Sequence, residues 1–96
     1  MNNLISMHMY SGHLVTASGD YAPSKLGGSN KKDVIRYTVD TAKNITSWGV
    51  TCKWYVTEDF RESGTRALRE IIITGGYIDE RGNNHYYTAS QLEDIF

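Results

Sequence analysis

The stretch from Thr57 to Gly76 constrains the fold of this 96-residue chain most strongly, because helical projection separates its residues into two chemistries. The apolar side holds Phe60, Gly64, Ala67, Leu68, Ile71 and Ile72, and the charged side holds Asp59, Glu62, Arg66, Arg69 and Glu70. Thr57 is a suitable N-cap, and Gly75 with Gly76 supplies the backbone freedom that ends helices. The pattern predicts an amphipathic helix that packs on a core and turns its carboxylates toward water.

An extended conformation is the alternative for part of this stretch. Ile71, Ile72 and Ile73 are consecutive β-branched residues, which favour strands over helices. If residues 34–41 and 66–74 were both strands, the chain would form a β-meander.

A second amphipathic helix is predicted from Lys31 to Trp48, although residues 34–39 also alternate well enough for a strand. Its apolar face would hold Val34, Ile35, Val39, Ala42, Ile45 and Trp48. Asn30 is a suitable N-cap, and Gly49 follows as a stop signal. Because β-branched residues lower helix propensity, tertiary packing has to stabilise this helix.

Strands are predicted both before and after this second helix in the sequence. Leu4–Tyr10 and His13–Ala17 form a predicted hairpin with its turn at Ser11-Gly12. Residues 18–30, with the only Pro and three glycines, are predicted to be a long loop. Residues 50–56 alternate as a strand whose core face would hold Val50, Cys52, Trp54 and Val56.

The C-terminal part is predicted to form a hairpin followed by a short helix. Tyr77–Glu80 and Asn84–Thr88 flank Arg81-Gly82-Asn83, whose residues accept positive φ angles. The spacings from Thr88 to Gln91 and from Ser90 to Glu93 both fit a capping box. The helix that follows would dock Leu92, Ile95 and Phe96.

The predicted fold class is therefore α+β, as one domain over residues 1–96. It is a small, largely antiparallel sheet with two amphipathic helices packed on one face, in the order β-β-α-β-α-β-β-α. The alternative is a β-meander with a short C-terminal helix.

The charge balance disfavours nucleic acid as the main partner. Ten Lys and Arg residues stand against 11 Asp and Glu residues, a net charge of −1, so the chain lacks the basic excess on which such binding depends. Charge is segregated, since residues 1–57 hold six basic and three acidic side chains and residues 58–96 hold four basic and eight acidic ones.

The cysteine content and hydropathy predict a cytoplasmic protein. Cys52 is the only cysteine, which excludes an internal disulfide, and residues 1–10 show no signal-peptide pattern. No apolar run approaches the roughly 20 residues that span a bilayer, so no membrane association is predicted.

The loop before the second helix is a candidate anion-binding site. It combines flexible glycines with hydroxyl, amide and ammonium donors just ahead of a helix N-terminus, and the candidate residues are Lys25, Ser29, Asn30, Lys31 and Lys32. The spacing does not match a P-loop, and an ordinary mobile loop explains the residues equally well.

Aromatic residues around the terminal hairpin are candidates for binding a protein partner, because tyrosine supplies large, rigid contact area. The candidates are Tyr77, His85, Tyr86, Tyr87 and Tyr55. Tyr86 and Tyr87 are adjacent, so within a strand they must point to opposite faces.

No motif predicts a metal site, a cofactor or an assembled catalytic set. The three histidines and Cys52 lack the spacings of metal ligands, and the apolar neighbours of Cys52 predict an inert thiol. Glu58, Asp59, Glu62 and Glu70 are assigned to the solvated side of a helix, where they would pair with arginines or attract a basic partner. An enzyme is therefore disfavoured.

The leading hypothesis is a small non-catalytic binding protein that occupies the surface of a larger macromolecule. A phage-type inhibitor of a bacterial defence complex is one subtype, and homodimerisation through a strand edge also fits. The alternative is a module that binds nucleic acid or a phosphorylated ligand with residues 25–32.

Overall fold

Residues 7–61 and 69–94, which the computed structural model of the chain describes, form a six-stranded antiparallel sheet with a long helix on one face. The strands are β1 (Met7–Thr16), β2 (Gly19–Tyr21), β3 (Gly27–Gly28), β4 (Lys53–Arg61), β5 (Arg69–Ile78) and β6 (Asn84–Tyr86), and the helices are α1 (Lys31–Ser47) and α2 (Ala89–Glu93). The strand order is β2-β1-β4-β5-β6, and β3 also pairs with β1. The predicted α+β class with a largely antiparallel sheet is confirmed.

The predicted helix and its Asn30 cap are confirmed, but its buried stripe is narrower than the predicted apolar face and includes Thr38, which was not predicted. The Asn30 side chain accepts a hydrogen bond from the Asp33 N–H at 3.1 Å. Val34, Thr38 and Ala42 recur every four residues and are buried against the sheet. The Thr38 hydroxyl donates to the Val34 carbonyl oxygen at 2.7 Å, so this polar group is buried with a partner.

The predicted burial of Trp48 is wrong, because its side chain is 76% exposed. Helix α1 ends at Ser47, and the chain turns at Gly49, which has a φ of +88°. Trp48 lies at the cap, where helical periodicity no longer sets the direction of a side chain.

Strand β4 carries the centre of the core. Trp54 and Val56 are fully buried on the side of α1 together with Cys52, which confirms the predicted core face at these positions. The Trp54 indole N–H donates to the Asn84 side-chain oxygen at 2.7 Å, so this buried donor is satisfied. Val50 does not belong to this face, because it precedes the strand and is 42% exposed.

The helix predicted from Thr57 to Gly76 is wrong. Residues 57–61 continue β4, and residues 69–76 belong to β5. The two strands pair antiparallel, with Asp59 opposite Glu70. Residues 62–68, including Glu62, lie outside the described part of the chain.

A β-bulge explains why the sequence of β5 resembles a helix. The register shifts between Val56, which pairs with Thr74, and Thr57, which pairs with Ile72. Ile73 is therefore an extra residue that interrupts the two-residue alternation. The remaining apolar spacing fits a helical projection, but consecutive β-branched residues laddered to β4 favour the strand.

The hairpin predicted at Ser11-Gly12 is also wrong, because β1 runs unbroken through both residues. The part of this prediction that covers residues 4–6 lies outside the described residues. Gly12 is instead a point of close approach: a Cβ atom there would clash with Thr38 Oγ1 and lie 3.0 Å from Leu26 Cβ. Its lack of a side chain lets α1 pack closely on the sheet.

The segment predicted as a long loop lines one edge of the sheet. Strands β2 and β3 both pair with β1, and a single 3₁₀ turn at Ser24–Leu26 lies between them. Leu26 is only 2% exposed and joins the core. This segment therefore covers an edge of β1 that would otherwise expose unpaired backbone groups.

The predicted C-terminal hairpin and capping box are confirmed. β5 and β6 pair through a turn in which Gly82 has a φ of +85°. The Thr88 hydroxyl accepts from the Gln91 N–H, and the Gln91 side chain accepts from the Thr88 N–H. Leu92 packs against Gly75 of β5, whereas residues 95 and 96 lie outside the described range.

Replacing Gly12 with Ala is expected to lower the free energy of unfolding by about 2 kcal/mol, a value typical of an overpacked core. Urea denaturation measures the change. Gly28→Ala is the matched control, because its new Cβ would meet Val34 Cγ2 at an ordinary 3.5 Å. Adding Thr38→Ala to Gly12→Ala should recover part of the loss. Equal stability of Gly12→Ala and the wild type would contradict the assigned contact.

Candidate functional site

The face of the sheet opposite α1, here called the open face, carries a dense group of polar side chains. Alternation along β4 directs Tyr55, Thr57 and Asp59 to this face. His13 is directly opposite Tyr55 in the register, and Glu70 is opposite Asp59. The sheet thus gathers residues that are distant in the sequence.

His13 is the centre of this group. Its ring stacks on Tyr55, with the ring centroids 4.2 Å apart and the planes 8° from parallel. Its Nε2 atom lies 3.2 Å from Thr57 Oγ1 and 3.6 Å from Glu70 Oε1, and its Nδ1 atom lies 3.5 Å from Asp20 Oδ1. The imidazole is only 13% exposed and is held on both nitrogens.

We call this group the His13 cluster; its members are Ser11, His13, Asp20, Tyr55, Thr57, Asp59 and Glu70. The Tyr55 hydroxyl donates to Asp20 Oδ2 at 2.5 Å. Burial, this hydrogen bond and the negative charges of Asp20 and Glu70 all raise the pKa of Tyr55, so the phenol stays protonated. Tyr55 therefore acts here as a hydrogen-bond donor.

Asp59 is the least satisfied member of the His13 cluster. The Ser11 hydroxyl donates to its Oδ2 atom at 3.4 Å, whereas its buried Oδ1 atom has no hydrogen-bond partner among the described residues. Burial and the negative charge of Glu70 raise the pKa of Asp59, and Ser11 and His13 partly oppose this shift. The ionised carboxylate is thus in an unfavourable environment.

Asp20 contacts one nitrogen of His13, and Thr57 contacts the other. The same arrangement of an orienting acid, a base and a hydroxyl nucleophile occurs in enzymes that use nucleophilic catalysis. Two observations argue against that chemistry. Thr57 is only 2% exposed, and Glu70 approaches the same imidazole nitrogen as the Thr57 hydroxyl. The geometry holds the imidazole in place, and the hydroxyl that it contacts belongs to a buried threonine.

A second feature of the open face is an aromatic group that we call the Tyr77 stack, made of Tyr77, His85 and Tyr87. The rings of Tyr77 and His85 are stacked with their centroids 4.8 Å apart, and the Tyr87 ring lies 5.8 Å from that of Tyr77. Burial, followed by the electrostatic effect of Tyr77, raises the pKa of Tyr87. Three of the five predicted partner-binding residues are therefore in contact.

Asp79 fixes the position of His85 in the Tyr77 stack. Its Oδ2 atom lies 2.7 Å from His85 Nε2, and its Oδ1 atom accepts from the N–H groups of Arg81 and Asn83, each at 2.9 Å. The hydrogen bond with His85, followed by that from Asn83, lowers the pKa of Asp79. The hairpin turn thus fixes the orientation of an exposed aromatic side chain.

The other two predicted partner-binding residues lie elsewhere. Tyr55 is on the open face but only 5% exposed, within the His13 cluster. Tyr86 is on the face of α1, where its ring meets Trp54 edge to face at 5.6 Å, and it is 63% exposed.

Four of the predicted anion-binding residues, Ser29, Asn30, Lys31 and Lys32, lie at the start of α1, and the fifth, Lys25, precedes them in the chain. Lys25 lies in the 3₁₀ turn, and Lys31 and Lys32 begin the helix; all three are exposed. The Asn30 side-chain oxygen is occupied by the helix cap, and exposed Ser29 precedes it. Anion binding at these residues stays a prediction.

An open groove of about 930 Å³ lies between β5 and α2, beside the His13 cluster. Its lining includes Thr57, Glu70, Ile72, Ala89, Leu92 and Glu93. Gly75 permits this arrangement, because a Cβ atom there would lie 3.0 Å from Leu92 Cδ2 and 2.9 Å from the Trp54 carbonyl oxygen. We call this feature the β5–α2 groove.

The His13 cluster and the β5–α2 groove were not predicted from the sequence, because Asp59 and Glu70 were assigned to the solvated side of a helix. A signal was present in β4, where Tyr55, Thr57 and Asp59 continue the alternation of the predicted strand. No comparable local signal links His13 or Asp20 to them.

The described residues contain no group of three or more His, Cys, Asp or Glu side chains arranged to hold a metal ion. Cys52 is fully buried, and burial raises the pKa of its thiol, which confirms the predicted inert environment.

No protein-family model matches the sequence, and no curated protein or solved structure matches the chain. Within residues 7–61 and 69–94, no helix is long and apolar enough to cross a membrane.

Asp59→Asn is expected to raise the free energy of unfolding at pH 7. Because the pKa of Asp59 is higher in the folded chain, folding favours its protonated form, and the ionised form lowers stability at neutral pH. This penalty is absent below about pH 4, the ordinary range of a carboxyl group. The advantage of the variant should therefore shrink as the pH falls.

Urea denaturation at several pH values measures this difference. Asp40→Asn, at an exposed position on α1, is the control and is expected to change stability by less than about 0.5 kcal/mol. A variant less stable than the wild type at pH 7, or a difference that does not change with pH, would contradict the assigned environment.

Proposed function

We propose that this chain is a small non-catalytic binding protein that covers part of the surface of a larger protein with the open face of its sheet. The Tyr77 stack is the observation that carries the proposal. It presents stacked aromatic rings, and Tyr77 remains 38% exposed. Such rings supply contact area with little loss of conformational entropy.

The surroundings of the Tyr77 stack also support this function. Asp79 holds His85 in place, so the surface is ordered before binding. Tyr55 and Thr57, farther along the same face, are buried and hydrogen-bonded and give the face a rigid floor. The β5–α2 groove beside them offers a depression for a partner's side chains.

Tyr77→Ala is expected to reduce capture of the partner about tenfold or more, the effect typical of an aromatic hot spot. The experiment immobilises the protein, exposes it to a lysate of the source organism, and quantifies the captured proteins by mass spectrometry. Biolayer interferometry with the purified partner then measures the affinity.

Tyr86→Ala is the matched control, because this exposed tyrosine lies on the opposite face of the sheet. It should leave capture unchanged. Loss of binding with Tyr86→Ala but not with Tyr77→Ala, or capture of no protein at all, would overturn the proposal. The captured protein also tests the subtype: a subunit of a bacterial defence complex supports an inhibitor, and a second copy of this chain supports a homodimer.

A second candidate function is binding of nucleic acid or a phosphorylated ligand at the start of α1. Exposed Lys31 and Lys32 in the first turn of a 17-residue helix favour it, because the helix dipole adds to their positive charge. The carboxylate of Asp33 in the same turn opposes it, although that group pairs with Arg36 at 3.3 Å.

Replacing Lys25, Lys31 and Lys32 together with Ala is expected to weaken binding of a fluorescein-labelled single-stranded oligonucleotide about tenfold or more at low salt. Lys43→Ala, farther along α1, is the control. Fluorescence anisotropy over a range of salt concentrations measures both. Oligonucleotide binding that is unchanged by salt and by the triple substitution, or no binding even at low salt, would exclude nucleic acid as the ligand of these residues.

A further inference from the structure

The β5–α2 groove combines an apolar floor with acidic edges. Ile72 from β5 and Leu92 from α2 are half-buried within it, and Ala89 adds a small apolar side chain to the lining. Glu70 and Glu93 are the charged residues in its described lining, and both are exposed. The two carboxylates come from different elements, β5 and α2.

The negative potential extends beyond the groove lining. Asp20 and Asp59 lie in the adjoining His13 cluster, where His13 contacts Glu70 at 3.6 Å. The charge of Glu70 contributes to the raised pKa values of both Tyr55 and Asp59. Added positive charge in this region would therefore be stabilised by several carboxylates.

We propose that the β5–α2 groove binds a segment of the protein partner in which lysine or arginine alternates with apolar side chains. The inference rests on the proposed binding function and names the chemistry that its partner must carry. Apolar side chains of the segment would contact Ile72 and Leu92, and its basic groups would pair with Glu70 and Glu93. A volume of about 930 Å³ is large enough for several side chains of such a segment.

The shape of the groove agrees with this occupant. An apolar floor removes hydrocarbon from water, whereas carboxylates at an exposed edge select the sign of the partner's charge and steer its approach. An acidic segment would place like charges beside Glu70 and Glu93 and would be rejected.

A phage-displayed library of random dodecapeptides tests the inference, with the purified wild-type chain as bait. The selected peptides are expected to be about twofold or more richer in Lys and Arg than the input library, with apolar residues between them. A fluorescent copy of the most enriched peptide should bind about fivefold more weakly to the double variant Glu70→Gln/Glu93→Gln, the scale of two exposed ion pairs. Its binding should also weaken as salt is added.

The matched control is Asp40→Asn/Glu80→Gln, which removes the same negative charge at exposed positions outside the groove. This control should bind the peptide like the wild type. A selected pool without basic enrichment, or equal binding by the two double variants, would overturn the inference.

The result is separable from the test of the proposed function. If Tyr77→Ala abolishes capture from lysate while the selected peptides carry no basic excess, the binding function stands and the basic-segment inference fails. If basic peptides bind through Glu70 and Glu93 but capture does not depend on Tyr77, the groove assignment stands and the role of the Tyr77 stack fails.

Discussion

The pairing of β4 on both edges is the interaction on which the rest of this structure depends. β1 and β5 form antiparallel ladders with it, and four consecutive residues, Trp54 to Thr57, are buried on its two faces. Helix α1 covers the face of Trp54 and Val56, and the His13 cluster is built over Tyr55 and Thr57. A shift of one residue in this register would exchange the two faces, so core and candidate site are specified together.

Buried side chains are stabilised differently on the two faces of β4. On the side of α1, apolar packing dominates, and Thr38 and the Trp54 indole find hydrogen-bond partners. On the open face, polar groups are buried and have to satisfy one another, as Tyr55 does with Asp20 and Thr57 with His13. Such a network holds the side chains of this face in fixed positions, and its excess of carboxylates gives the surface a negative potential.

Local signals predicted the elements whose geometry is set within a few residues. The Asn30 cap and the apolar periodicity of α1, the Gly82 turn and the Thr88 capping box all depend on residues close together in the sequence, and all were recognisable there. The Tyr77 stack could be predicted in part, because its members lie on one predicted hairpin. Asp20 and Glu70 both contact His13 only because of the sheet register, so local periodicity could not indicate the His13 cluster.

The amino-acid sequence alone determined the α+β class, the helix at residues 31–47, the C-terminal hairpin and the inert setting of Cys52, because caps, turn glycines and alternation act over short range. The tertiary structure decided that residues 69–76 are a strand, that Gly12 is a packing contact and that Glu70 faces His13. Each of these outcomes depends on which distant segment of the chain pairs with, or packs against, the residues concerned. The bulge at Ile73 depends on the pairing of β5 with β4, and the close contact at Gly12 depends on the packing of α1 on β1. No single element specifies either feature by itself.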